Sequence, residues 1–425
     1  MVEAPANSAL LRADDSHSMR DKLLGAIGYF YICLGVTLNP WVLGRLLAPD
    51  GKIESPRIIA IIVLVELLLI AIGGVTLWKR RAAFLPNLHL VIASLAIGCP
   101  LAGELVFRTG IGLKIAPFRS PGLYADWFSD DDYWKLQQHW VGLRPYAAAG
   151  SVHPRLGWSQ EKVTPENPLG LHPRSLERLA STKPKILFYG DSFVDGSSDD
   201  EFHLPEYLNN RLDSVDVVDL SVGGYGIDQI YLLFSETVGR VARPTVLVGI
   251  LVSDDLDRAV LSVRTSQKPY FVLDSVGELK LEGIPVQKDQ ASYFRTHPSS
   301  VRSYLLSFLR LRLLGPDSRI ERKKAIASRL LDRFSAEARR AGADLIFVLF
   351  YAEWDLRERT WKESYLKAEL GARKLPFIDT KAVILTYVER SGGVTAALYE
   401  PRGGHHNNLG NEVIGQGILE YLRRR

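Results

Sequence analysis

The sequence predicts an α/β domain built on a largely parallel sheet and carried behind three membrane-spanning helices. Three long apolar stretches crowd the first quarter of its 425 residues. Beyond Lys183, strand-length apolar runs alternate with helix-length segments, the pattern of a parallel sheet with crossover helices. Those strand-like runs end in turns of Gly, Asp and Ser, where ligands of such sheets bind.

The apolar stretches cover residues 23–47, 58–78 and 85–107. Each reaches the roughly 20 residues that a helix needs to cross a hydrocarbon core of about 30 Å. The first is too long for the apolar region of a cleaved signal peptide, and no small-residue cleavage pattern precedes a soluble sequence. Lys79, Arg80 and Arg81 cluster between the second and third stretches, and Arg20 and Lys22 precede the first. Positive residues favour the cytoplasmic side, so the third span is expected to deliver everything after Arg108 to the periplasm or cell exterior, with the chain in a cell inner membrane. Glu66 falls near the middle of the second stretch and is read as a protonated acid hydrogen-bonded within helix packing, the alternative being a mark of a partner helix or a polar pathway; Glu104 lies close enough to a span end to reach the interface.

The expected division is a membrane anchor over 1–109, an irregular wrapping segment over 110–182 and an α/β domain over 183–425. The middle segment is rich in Pro, Gly and aromatics, including Trp127, Trp134, Trp140 and Trp158, and has little periodicity. Strands are expected at 186–189, 215–220, 245–252, 345–350 and 376–378, and helices at 227–241, 319–341 and 408–424. A hairpin, 270–273 and 278–281 around 274–277, interrupts the alternation. The 319–341 helix, dense in Arg and Lys, is given a solvated face.

Composition excludes several functions. Lys+Arg number 52 against 48 Asp+Glu, a net charge of +4, with no concentrated basic face, which argues against a nucleic-acid partner. The two cysteines, Cys33 and Cys99, lie inside apolar runs and offer neither a disulfide framework nor a metal site. His153, His172, His203 and His297 are scattered without ligand spacing, so no metal or other cofactor is expected.

The chemistry gathers at strand ends. Gly190-Asp191-Ser192 follows the first strand, a position that exposes a serine as a nucleophile and lets its own N–H hold an oxyanion. Gly223-Gly224-Tyr225-Gly226 follows the second, where glycines let backbone N–H groups approach a ligand. His405-His406-Asn407-Asn408-Leu409-Gly410 opens the last helix and supplies an imidazole able to act as a general base.

In this order the three elements resemble the SGNH (GDSL-like) hydrolase superfamily, over roughly residues 183–425. The resemblance implies a three-layer α/β/α, flavodoxin-like domain with Ser192 as nucleophile, Gly224 as an oxyanion donor and His405 as base. His405 is chosen over His406 because only it meets the His-x-Asn-x-x-Gly spacing, with Asn407 and Gly410. Where the family has an oxyanion Asn this chain has Asp254, and an ionised carboxylate cannot donate. The donor would then be a protonated Asp254, Ser253, a backbone N–H or Arg258. The family's triad acid stands three residues before the histidine, here Arg402, which leaves Glu400 as the nearest carboxylate to orient His405, or a Ser–His dyad. Ser192, His405 and Glu400 are thus the catalytic candidates, and Gly224, Asp254 and Asp191 the oxyanion and substrate-binding ones.

The resemblance implies an esterase acting on ester-linked acyl groups, O-acetyl among them, of an envelope carbohydrate or lipid. An acyltransferase working with a membrane-protein partner, a lipase or thioesterase, and a non-catalytic carbohydrate- or lipid-binding module on the same fold are the alternatives.

Overall fold

The computed structural model describes residues 7–47, 51–53, 55, 56–79, 82, 84–142, 152–196, 199–314, 319–357, 360–401 and 404–425. Two compact units emerge, one of Met1–Asp126 with Val301–Arg319, the other of Trp127–Ser300 with Ile320–Arg425. This division does not follow the boundaries read from the sequence at 109 and 182. The apolar helix Tyr304–Leu314 belongs to the unit of the membrane helices, and the described residues from 127 to 180 belong to the unit of the α/β sheet.

In the first unit, Pro56–Trp78 and Leu85–Gly112 are each long and apolar enough to cross a membrane. The stretch expected to be a single first span is instead broken, Met19–Thr37 and Pro40–Leu46 meeting at 72°, so it makes a third span only as a bent pair. The break has a local cause. Pro40 disfavours helical backbone at the residue before it, and the Asn39 side chain accepts from the N–H groups of Trp41 and Val42, both at 3.0 Å, starting a new helix. Glycines bring the first and second helices together: a Cβ on Gly73 would stand 2.6 Å from the Gly28 carbonyl oxygen. Thr76 and His89 join the second and third helices through a 3.1 Å hydrogen bond. Lys79 is described, but its expected cytoplasmic neighbours Arg80 and Arg81 lie outside the described residues.

The second unit is built on five parallel strands, β1 (Lys185–Gly190), β2 (Asp216–Ser221), β3 (Thr245–Leu251), β4 (Asp344–Phe350) and β5 (Phe377–Asp379), in spatial order β5-β4-β3-β1-β2. All five coincide with the expected strands to within two residues at each end. β1 is buried along its length and β3 and β4 over all but their first residue, as continuous apolar runs covered on both faces must be. Ile227–Thr237 and Ile320–Ala341 pack together, with Phe234 against Phe334 at 4.9 Å between ring centroids. Asn408–Arg423 closes the chain. The expected hairpin is present as Tyr270–Leu273 with Leu279–Glu282.

The Ile320–Ala341 helix has the expected solvated face, with Arg329, Arg339 and Arg340 exposed, while its Lys323 is buried and pairs with the buried Asp257 at 2.8 Å. One sequence reading is corrected here. Residues 152–180 do not simply wrap the surface. Trp158 is buried in the core, and the Pro173–Ala180 helix covers the sheet edge, Ser175 Oγ donating to the Asp219 carbonyl at 2.7 Å and Arg178 to that of Val217 at 2.8 Å. These bonds take up carbonyl groups that an edge strand otherwise leaves open.

Candidate active site

The turns after β1, β2 and β3 and the loop before the last helix meet at the carboxyl edge of the sheet. Ser192 opens a single helical turn, Ser192–Asp195, capped by Asp191, whose Oδ1 accepts from Phe193 N at 2.9 Å. Gly190 is required for this tight turn, since a Cβ there would stand 2.3 Å from Val194 Cγ2. The serine is half-buried and its Oγ lies 2.8 Å from Nε2 of His405. Residues 213 apart in sequence are thereby brought into direct hydrogen-bond contact.

His405 is held from two sides. Its ring lies tilted against that of Phe193, with centroids 4.8 Å apart. Behind it, Asn407 caps the last helix, its Oδ1 accepting from Gly410 N at 3.0 Å and its Nδ2 donating to the Ala397 carbonyl at 2.9 Å. A Cβ on Gly410 would fall 2.1 Å from the Leu398 carbonyl oxygen, so only glycine lets the helix start this close. The His-x-Asn-x-x-Gly spacing is therefore the signature of a packed loop that aims the imidazole. Burial pushes the His405 imidazole below its ordinary pKa, against the opposing pull of the Asp191 carboxylate. The ring is thus kept neutral, the form that accepts a proton.

Glu400 sits across the same short hairpin, its backbone N–H donating to the His405 carbonyl at 2.8 Å. Among the described residues its carboxylate makes no hydrogen bond to the imidazole; its charge acts on His405 only through space. Arg402, the residue three before His405, lies outside the described residues. His406, next in sequence, turns the other way into the core against Phe193 and Tyr399, and burial pushes it down to about 3.

The turn after β2 is pinned from behind. Trp158 Nε1 donates to the Gly223 carbonyl at 3.0 Å, Arg264 Nη1 to that of Gly224 at 2.6 Å, and the Tyr225 hydroxyl to the Trp158 carbonyl. Gly224 has φ of 83°, backbone that favours glycine. The carbonyl groups of Gly223 and Gly224 are thus both engaged from behind.

Arg258 is the residue that sequence reasoning undervalued, naming it only as one possible oxyanion donor. Buried at 5% exposure, its Nη1 donates to Asp191 at 2.6 Å, to the Tyr225 carbonyl at 2.9 Å and to Asp255 at 3.0 Å, while Nη2 donates to Asp254 at 2.8 Å. One guanidinium thus fastens the ends of β1, β2 and β3 to one another. Burial works to raise Asp254, but the Arg258 charge, then that of Arg264, carries it below the usual carboxylate range. Asp254 thus faces Arg258 as a carboxylate, the form that accepts hydrogen bonds. Its own N–H is also engaged, with the Leu251 carbonyl at 3.2 Å. Asp255, fully buried, is pushed well up by burial and by the neighbouring Asp191 charge. The i, i+3 and i, i+4 pairs within Asp254–Arg258 were readable from sequence; the link to Asp191, 67 residues away, was not.

No family model matches this chain, and no curated protein matches it. Among solved structures, its fold is similar to that of a Bacillus subtilis protein, 13% identical over 57% of each chain with a TM-score of 0.35. It is also similar to a member of the lipolytic protein G-D-S-L family from Veillonella parvula, 15% identical over 57% of this chain and 99% of that one with a TM-score of 0.34. A lipase/acylhydrolase from Enterococcus faecalis is 16% identical over 57% of this chain and 96% of that one, again with a TM-score of 0.34.

Proposed function

We propose that this chain is a membrane-anchored serine esterase of SGNH type. The observation that carries the reading is the 2.8 Å contact of Ser192 Oγ with His405 Nε2 at the carboxyl edge of a parallel sheet. In the reaction, Nε2 takes the hydroxyl proton as Oγ attacks the ester carbonyl. The backbone N–H groups of Ser192 and Gly224 hold the oxyanion as it forms. His405 then returns the proton to the leaving alcohol, leaving an acyl group on Ser192. Water, deprotonated by the same imidazole, attacks the acyl-enzyme; the C–Oγ bond breaks, the imidazolium returns its proton to Ser192 Oγ, and the acid leaves.

Ser192 and His405 work as a dyad, with Asp191 capping the nucleophile's turn and Glu400 contributing charge rather than a hydrogen bond. Asp254 has no donor role; it helps hold Arg258, and the two N–H groups carry the oxyanion. The positive-inside pattern supports a multi-pass inner-membrane protein with its α/β unit in the periplasm, where ester-linked acyl groups, O-acetyl among them, of envelope carbohydrate or lipid are the fitting substrates. If the acceptor is a second alcohol instead of water, the same acyl-enzyme gives transfer, and a membrane-protein partner would supply the acyl donor. The test is hydrolysis of a short-chain p-nitrophenyl ester by the detergent-solubilised protein beside Ser192→Ala and His405→Ala. Turnover abolished in both variants is expected. Turnover unchanged in either would remove that residue from the mechanism.

A further inference from the structure

The Tyr304–Leu314 helix belongs to an insertion that leaves the α/β unit after Ser300, packs with the membrane helices and returns at Ile320. Its sequence, YLLSFLRLRLL, is apolar around its whole circumference apart from Ser307, Arg310 and Arg312. A helix of that kind belongs in a protein core or in lipid.

One face is accounted for by the Leu85–Gly112 helix. Phe308 meets Phe107 with ring centroids 5.3 Å apart, and Leu305 lies over Gly103, where a Cβ would stand 2.9 Å from its Cδ2. The two helices are also fastened by a carboxylate. Glu104 accepts from Ser303 Oγ at 2.8 Å and from the N–H of Leu305 at 2.9 Å, so a span residue neutralises the positive end of the inserted helix. Its acid is further paired with Arg108 at 2.8 Å, whose Nη2 also donates to the Arg302 carbonyl at 2.7 Å. This accounts for an acidic residue inside an apolar span.

An adjoining face is open. Leu306, Leu309 and Leu313, spaced to form one stripe, are 52%, 40% and 51% exposed. The stripe belongs to the same unit as the outer surface of the span it packs on, where Leu101, Leu105 and Val106 are 66%, 65% and 56% exposed. We infer that the Tyr304–Leu314 helix is a fourth membrane element, lying in one leaflet of the bilayer with Leu306, Leu309 and Leu313 against acyl chains. At about 1.5 Å per residue its 11 residues reach roughly half of a 30 Å core, too short to cross. Arg312, in the last turn and exposed, has the length to carry its charge to lipid phosphates.

This inference rests on the membrane-spanning part of the proposed function and not on its chemistry. Full-length protein with Cys33→Ser and Cys99→Ser receives a single nitroxide label at Leu309→Cys or, separately, Leu313→Cys. It is reconstituted into phosphatidylethanolamine–phosphatidylglycerol vesicles. Accessibility to oxygen is compared with that to a water-soluble nickel chelate, with Leu64→Cys in the Pro56–Trp78 helix and the exposed Glu278→Cys as references. At both test sites oxygen accessibility should exceed nickel accessibility several-fold, as at Leu64 and opposite to Glu278. Nickel accessibility matching Glu278 would place the stripe in water, and low accessibility to both agents would place it under protein; either overturns the inference. Nickel accessibility at Leu64 itself would overturn the membrane reading and this inference with it, whereas a lipid-exposed Leu64 beside water-exposed test sites removes only the fourth element. Both labelled side chains are at least 40% exposed, and the two independent variants guard against loss of fold at one.

Discussion

Replacing Arg258 by Met tests whether one guanidinium organises the site. The substitution keeps an unbranched stem but deletes donors to Asp191, Asp254, Asp255 and the Tyr225 carbonyl, at 2.6, 2.8, 3.0 and 2.9 Å. Asp191 and Asp255 are 1% and 0% exposed, so their charges lose their counterion in a setting water cannot enter. Breaking a buried ion pair from one side costs about 3–5 kcal/mol. Uptake of a proton offsets part of that loss, since Asp255 already has a raised pKa. The sign of the pH effect follows. Without Arg258 the folded-state value of Asp255, already raised, rises further above its unfolded value, so its contribution to stability is intact below about pH 4 and is lost as pH rises. The deficit of Arg258→Met in urea unfolding should therefore grow between pH 4 and pH 7. Activity should fall by about 10²–10³ in kcat for a p-nitrophenyl ester, the loss that follows when an oxyanion donor is misplaced. KM should change little, because the substrate's ground state does not use these contacts. A variant with wild-type kcat, or with a stability deficit that does not vary with pH, would refute the reasoning.

Four further outcomes are expected. Because burial holds His405 below its ordinary value of 6.5, the acid limb of kcat/KM should have its midpoint below pH 6.5; a pH–rate profile checks this. His406, pushed down to about 3, is neutral when folded and protonates more readily when unfolded. Its contribution to stability is present above pH 6.5 and declines as pH falls, by up to about 1.4 kcal/mol per unit, and His406→Gln should lower that slope by about one proton in urea titrations across pH 4–7. Trp158→Phe, which removes the bond to the Gly223 carbonyl but keeps the ring packing, should cost about 1 kcal/mol of stability and lower kcat more than it raises KM. Gly410→Ala must push back the Leu398 carbonyl, so about 1–3 kcal/mol of stability and most of the esterase turnover should be lost together.

The sheet was legible because buried parallel strands write themselves as continuous apolar runs, and the five expected runs are the five strands. Ser192 and His405 were legible because each stands at a strand or helix end with its local turn chemistry attached, Gly190 and Asp191 for one, Asn407 and Gly410 for the other. What escaped were features made by pairing across long separations. Nothing near Arg258 announces Asp191, and nothing around Trp158 announces the Gly223 carbonyl. The Tyr304–Leu314 helix carried a local signal, an apolar circumference with no place in a crossover helix of an α/β domain. The bend in the first apolar stretch carried one as well, in Asn39-Pro40, which hydropathy averaged over a window of residues cannot register.

The central claim is that Ser192 is a nucleophile activated by His405. It is tested most directly by treating the full-length protein with a fluorophosphonate and locating the adduct by peptide mass spectrometry. The account predicts one phosphonylated serine, Ser192, with labelling absent in Ser192→Ala and strongly slowed in His405→Ala. An unlabelled Ser192 in folded protein, or labelling whose rate does not depend on His405, would contradict it.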